Sequence, residues 1–227
     1  MFSNLYHCFQ PIRRINNLEI FGWEALLRGP DSPTKLFMEA EKNGMSIVLD
    51  MLSQTQALKT MNENNFRGKR FINCNLCTFT NDKSLLNRLH ELPQKESIVI
   101  EITEGQRFYE CDRSKIRYTI KELKRIGVKI AIDDFGSGYS NLFLIDYLEP
   151  DYIKTDRSLI TNIMDKGKQF TLMKAIAKLG REMNVIIIAE GIENEIQKEL
   201  LLDCGIELGQ GWLFDPPIER NNTKEFK

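Results

Sequence analysis

The most restrictive feature of this chain is where polar residues interrupt its apolar runs. After Lys69 come RFINCNL, SIVIEIT, KIAIDDF, YIKTD and VIIIAE, several of them nearly continuous in Val and Ile. Runs of that kind fit strands covered on both faces, as in a parallel sheet. Between them, SKIRYTIKELKRIG and QFTLMKAIAKLGREMN place apolar residues at i, i+3 and i+4 and stop at Gly or Asn, which predicts helices. Earlier in the chain YHCFQPI and IFGWEALL read as strands, and PTKLFMEAEKN and VLDMLSQTQALKTMNEN as helices. KSLLNRLHEL and NEIQKELLLDCG complete the helices, and the region around GQGWLF the strands. Strand–helix alternation predicts an α/β fold of parallel units, either an open doubly wound sheet or a closed barrel. With no linker, low-complexity tract or internal repeat, a single domain over residues 1–227 is expected.

Polar residues sit at or near the C-terminal ends of these runs. Asn75 ends FINCN, Glu101 follows SIVI, Asp133 and Asp134 follow KIAI, Lys154 follows DYI, and Glu190 follows VIIIA. Gln210 falls in the last run and Glu24 inside IFGWEALL. From Asn75 onward the spacing is roughly 20 to 36 residues, about one β/α unit. Strand ends of that kind converge on one mouth in a barrel and on one crevice in an open sheet. One acid at a strand end reads as a helix cap; the whole set does not. Ionised, the five acids outweigh Lys154 by four charges, which two divalent cations would neutralise. An all-oxygen donor set suits Mg²⁺ or Mn²⁺ rather than zinc, and neither His7 nor His90 has a metal-binding spacing. Two-metal oxygen sites commonly hydrolyse phosphate esters.

Bulk properties narrow the classes further. Lys and Arg number 31 against 32 Asp and Glu, for a net charge of −1, so coating a nucleic-acid polymer by charge is not expected. Five cysteines are too few for a disulfide framework, and no leader or long apolar stretch is visible, so a cytoplasmic protein without a membrane span is expected. The CNLC stretch has C-x-x-C spacing, but two residues three apart on one strand would face opposite ways, so small buried residues are the expected reading. The glycine-punctuated FGSGYSN lacks the Gly-Lys-Ser of a phosphate-binding loop.

The motifs QPI (10–12), EALLR (24–28), CNL (74–76), EITE (101–104), DDFGSGYSNL (133–142), KTD (154–156), AEGIE (189–193) and GQG (209–211) occur in one order over nearly the whole chain. As a set they resemble the EAL-domain cyclic-di-GMP phosphodiesterases. The resemblance implies a modified (β/α)8 barrel with one antiparallel strand, and attack of metal-activated water on one phosphodiester of cyclic di-GMP to give linear pGpG. It implies two divalent cations, with Glu24, Asn75, Glu101 and Asp133 around the first, and Asp133 bridging to a second also held by Asp134. Lys154 would orient the water, Glu190 would act on the metal or as base, and Glu24 would be required for turnover. Gln10, Arg28 and Gln210 would contact substrate, and Glu104 would anchor the FGSGYSN loop. A homodimer through the helices beside that loop is the implied assembly. Non-hydrolysing receptors and interaction modules of the same fold are the alternative, although such domains commonly lose ligands that this chain retains. Three departures are visible: Gly29 stands where the family often has Trp, the RGPDSPTKLFMEAE segment is short, and Cys77 stands where the family commonly has Ser. The first motif lies close to Met1, so no sensory or cyclase domain is expected upstream within this chain.

Overall fold

A closed barrel of eight strands carries the site. The structure, a computed structural model, describes residues 2, 4–81, 83–92, 94–103, 111–137 and 142–219. The strands are β1 (Tyr6–Arg14), β2 (Ile20–Arg28), β3 (Lys69–Cys74), β4 (Ile98–Thr103), β5 (Lys129–Phe135), β6 (Tyr152–Thr155), β7 (Ile186–Ala189) and β8 (Leu208–Gly209). They run in the order β2 to β8 and then β1, which also pairs with β2 and so closes the ring. A short strand β9 (Ile218–Glu219) adds to β1.

Strands β2 to β8 are mutually parallel, and β1 is antiparallel to both neighbours. The cause is local. Only five residues separate β1 from β2, with Leu18 at a φ of 61° and Arg14 N–H donating to the Glu19 carbonyl. A connection that short can join only antiparallel neighbours. The fold is therefore the modified α/β barrel implied by the sequence motifs, with the choice between open sheet and barrel settled by the two pairings of β1.

The described α-helices are α1 (Pro33–Lys42), α2 (Ser46–Glu63), α3 (Leu76–Asn81), α4 (Lys83–Glu91), α5 (Arg113–Arg125), α6 (Leu142–Leu148), α7 (Lys168–Met183) and α8 (Glu195–Cys204). Two short ones, α3 and α6, were not foreseen, since six or seven residues are too few to show a 3.6-residue period. RFINCNL was expected as one strand, but β3 stops at Cys74 and Leu76 opens α3. Cys77 thus lies in α3, and the C-x-x-C pair spans a strand end and a helix. The last strand also falls earlier than GQGWLF suggests, because the chain turns at residues 212–214. Among the described residues no helix is long and apolar enough to cross a membrane.

Side chains two apart on a strand share a face, and this sets the barrel interior in layers. Ile12, Phe71, Val99, Ala131, Tyr152, Ile188 and Leu208, one from each of seven strands, form an apolar cluster with Phe21 of β2 packed against it. The alternate residues, such as Ile100, Ile130, Ile153 and Ile187, join the larger core with the helices. One step of two residues from the apolar layer toward the mouth reaches Gln10, Glu101, Asp133, Lys154, Glu190 and Gln210.

His7 on β1 is buried, and its Nε2 lies 3.0 Å from the Ser53 hydroxyl of α2. Burial, helped by Arg28, lowers its pKa from 6.5 to about 4. The unfolded chain therefore binds this proton first, so the contribution is fully present above about pH 6.5 and is lost as pH falls toward 4. A loss of about 2 kcal/mol between pH 7 and 5 is expected from this group. Urea unfolding of the unaltered chain and of His7→Gln at both pH values checks it: the two curves should diverge in slope, with the variant less sensitive to acid.

Candidate active site

The polar layer converges on the ammonium group of Lys154. This side chain on β6 is 1% exposed. Its Nζ lies 2.7 Å from Glu101 Oε1, 2.8 Å from Glu190 Oε1, 3.0 Å from Glu24 Oε1 and 3.0 Å from Asp133 Oδ1. Gln210 donates its amide to Glu24 Oε2 at 2.6 Å and to Glu190 Oε1 at 3.2 Å. Four strands, β2, β4, β5 and β6, together with the loops after β7 and β8, therefore meet at one point, as strand ends in a parallel barrel must.

Adjacent residues on a regular strand face opposite ways, so Asp133 and Asp134 should not both reach this point. They do because β5 is irregular there. Its pairing with β6 shifts register between Ile132 and Phe135, and Asp134 adopts a φ of 55°. Asp is among the residues that tolerate this left-handed conformation. Carboxylate oxygens of Glu24, Glu101 and Asp133 consequently lie within 4.8 Å of one another, and so do those of Asp133, Asp134 and Glu190. Asp133 belongs to both groups.

Electrostatics follow from the crowding. Burial pushes the Glu101 and Glu190 carboxyls well above the usual carboxylate range; Lys154 opposes the shift and the neighbouring acids add to it. Burial also disfavours charge on Lys154, but Asp133, Glu101, Glu190 and Glu24 outweigh it and hold the ammonium well above its ordinary pKa. Asp134 is raised to about 6, by burial first and by Asp133 second. A cluster so rich in oxygen and so short of positive charge fits a hard divalent cation. Glu101 Oε2, fully buried with no hydrogen-bond partner among the described residues, fits the same group.

The cluster floors a cleft of about 1110 Å³ whose lining includes Gln10, Arg28, Asn75, Asp134 and Gln210. Gln10 donates to the Asp215 carbonyl and Arg28 to that of Leu27. Asn75 sits between β3 and α3, and its N–H donates to Asp50. Glu104 and residues 138–141 of the FGSGYSN segment lie outside the described residues. Gly29 is wedged between Leu5 and Leu36, where an added Cβ would come within 3.1 Å of either side chain. The short segment after it starts α1 at once, so Pro33, Thr34, Phe37 and Met38 form part of the cleft wall. Asp50 escaped sequence reasoning, because it reads as one polar position in a helix. In the fold it is 2% exposed, lines the cleft and carries a pKa raised to about 6 by burial.

The EAL domain family model matches residues 3–217. The cyclic di-GMP phosphodiesterase NbdA of Pseudomonas aeruginosa is 28% identical over 96% of this chain and 29% of its own length. The blue light- and temperature-regulated antirepressor BluF of Escherichia coli is 30% identical over 93% of this chain and 54% of its own. This chain thus spans about half or less of these relatives. The Klebsiella pneumoniae BlrP1 complex with manganese and cyclic di-GMP at pH 9.0 superposes with a TM-score of 0.85 and 26% identity, covering 96% of this chain and 57% of that one.

Lys154→Met should leave four carboxylates, three of them buried, without their shared cation. Removing one partner from a buried ion pair costs about 3–5 kcal/mol. Urea unfolding without divalent metal should show a loss of that order, and millimolar Mn²⁺ should recover part of it. Equal stability of variant and parent in both conditions would show that the ammonium does not balance the cluster.

Proposed function

The chain belongs to the EAL domain family, and on that premise we propose that it hydrolyses cyclic di-GMP to linear pGpG with Mg²⁺ or Mn²⁺ at the barrel mouth. The observation that carries the reading is the pair of three-carboxylate groups joined through Asp133. Glu24, Asn75, Glu101 and Asp133 would hold a first cation, with Asp133 and Asp134 holding a second. A bound divalent cation supplies charge neutralisation at phosphoryl oxygens and acidifies water.

The chain's own residues do the rest. Lys154 is a fixed point charge at the floor, prepared to orient a water molecule and to meet charge that develops on oxygen. Glu190, whose carboxyl burial holds above its usual range, is placed to accept a proton as a base. Gln210 ties Glu24 to Glu190 and keeps the two carboxylates in register. Arg28 and Gln10 line the cleft where phosphate and base would lie, and a planar guanidinium suits a bidentate phosphate grip. Glu104 is assigned to anchoring the loop after the paired aspartates. The proposal includes a cytoplasmic setting and a homodimer, the latter supported by exposed Tyr118, Leu142 and Phe143 on α5 and α6.

The second reading, a dinucleotide-binding or interaction module without turnover, has support in the relative named as an antirepressor. Chromatography of cyclic di-GMP incubated with the chain and Mg²⁺, Mn²⁺ or Ca²⁺ separates the two. Appearance of pGpG with Mg²⁺ or Mn²⁺ is expected, and Glu24→Ala should reduce it to background. Retained binding in Ca²⁺ with intact substrate under both other metals would select the module.

A further inference from the structure

Asp50 of α2 lies outside the carboxylate cluster, yet most of its hydrogen bonds go to the segment that presents Asn75. Its Oδ2 accepts from the Thr78 hydroxyl at 2.7 Å, the Gln54 amide at 2.9 Å and the Asn75 N–H at 3.1 Å, with the Cys74 thiol at 3.7 Å. Three of these four donors come from residues 74–78, where β3 gives way to α3. The Asn75 carbonyl in turn accepts from the Thr78 N–H at 2.9 Å. Both backbone polar groups of Asn75 are thus held, its N–H by the carboxylate behind it and its carbonyl by the first turn of α3.

The carboxylate is itself braced. Gln54 also donates to the Asn73 carbonyl at 3.3 Å, and Arg88 of α4 donates to Gln54 Oε1 at 3.3 Å. Arg88 reaches the Thr55 hydroxyl at 2.8 Å and the Met51 carbonyl at 3.2 Å as well. Helices α2 and α4 therefore fix the position of one oxygen atom, and that atom fixes the β3–α3 junction. Burying a carboxylate costs free energy that an apolar residue would not. Packing alone gives no reason for an acid here, whereas a neighbour that must present an oxygen donor accurately does.

We propose that Asp50 is a positioning residue for Asn75, clamping its backbone and the Thr78 hydroxyl so that the Asn75 amide is presented to the metal. The inference rests on the metal reading given above. Outer partners of metal ligands matter because ligand direction sets affinity, and their loss typically weakens binding 10–100-fold.

The test is Mn²⁺ affinity, read as free Mn²⁺ by electron paramagnetic resonance, with circular dichroism to confirm folding. Asp50→Asn should bind Mn²⁺ about 10-fold more weakly than the parent, and excess Mn²⁺ should bring its turnover back toward the parental rate. Thr78→Val removes one arm of the clamp and leaves the buried carboxylate with its other partners; weaker binding than the parent's, by less than the loss in Asp50→Asn, is expected of it. In an Asn75→Ala background neither substitution should weaken binding further. Parental affinity in both single variants, or an equal loss with and without Asn75, overturns the clamp while leaving the metal reading standing. A parent chain that binds no Mn²⁺ overturns both.

Discussion

One ammonium group faces more negative charge than it can balance, and the rest of the mouth is organised around that imbalance. Lys154 contacts four carboxylates within 3.0 Å while almost wholly withdrawn from water. In such surroundings ion pairs are strong but unpaired charge is costly. The cluster can answer in two ways: it can keep protons on Glu101 and Glu190, or it can take up cations. The raised carboxyls are the first answer and the all-oxygen donor set prepares the second. Because metal must displace those protons, affinity and proton release are coupled in any site built this way.

The imbalance survives only because the barrel holds it rigidly. Directly beneath the acids lies an apolar layer in which Phe71 and Tyr152 meet edge to face at 5.4 Å, with Phe21 6.0 Å from Tyr152. That layer excludes water from below and leaves the acids no direction to relax except toward the cleft. The loop after β7 is fixed with similar economy. Gln197 completes the capping box of α8 with Asn194, accepts from Glu193 N–H, and donates across to the Ile160 carbonyl. Gly211 leaves no room for a side chain, since a Cβ would sit 2.1 Å from the Ile192 carbonyl oxygen. Glu190 and Gln210 thus flank a segment whose backbone has little freedom.

Much of this was legible in the sequence, for a physical reason. A strand buried on both faces must be apolar, so an acid near its end stands out, and Glu101, Asp133, Lys154 and Glu190 announced themselves. What stayed hidden depends on backbone geometry or long-range contact. The register shift that turns Asp134 toward Asp133 leaves no trace in periodicity, and a left-handed Asp looks like any other Asp. Asp50 is a polar residue in an 18-residue helix, and only the packing of α2 on β3 shows that it faces inward. The β3–α3 junction was hidden as well, because RFINCNL is apolar enough to pass for strand throughout. Barrel closure could not be read from alternation alone, since an open sheet alternates in the same way.

The floor and the wall of the cleft are set by different parts of the chain. The floor is drawn from strand ends, where a substitution disturbs a buried charge network and the barrel with it. The wall is drawn in part from α1, which sits close because the segment after Arg28 is short and Gly29 fits between Leu5 and Leu36. Phe37 and Met38, the latter 55% exposed, give that wall an apolar character that the floor lacks. A cyclic dinucleotide has the same division, with anionic phosphates and flat bases. Under the proposed function, chemistry would be constrained by the barrel, while affinity for the bases would vary with α1 at little cost to the carboxylates. The helix that holds Asp50 lies between the two: α2 follows α1 after only three residues and reaches the floor through Asn75. A change in α1 that displaced α2 would thus reach Asn75, a proposed metal ligand, by way of one buried oxygen.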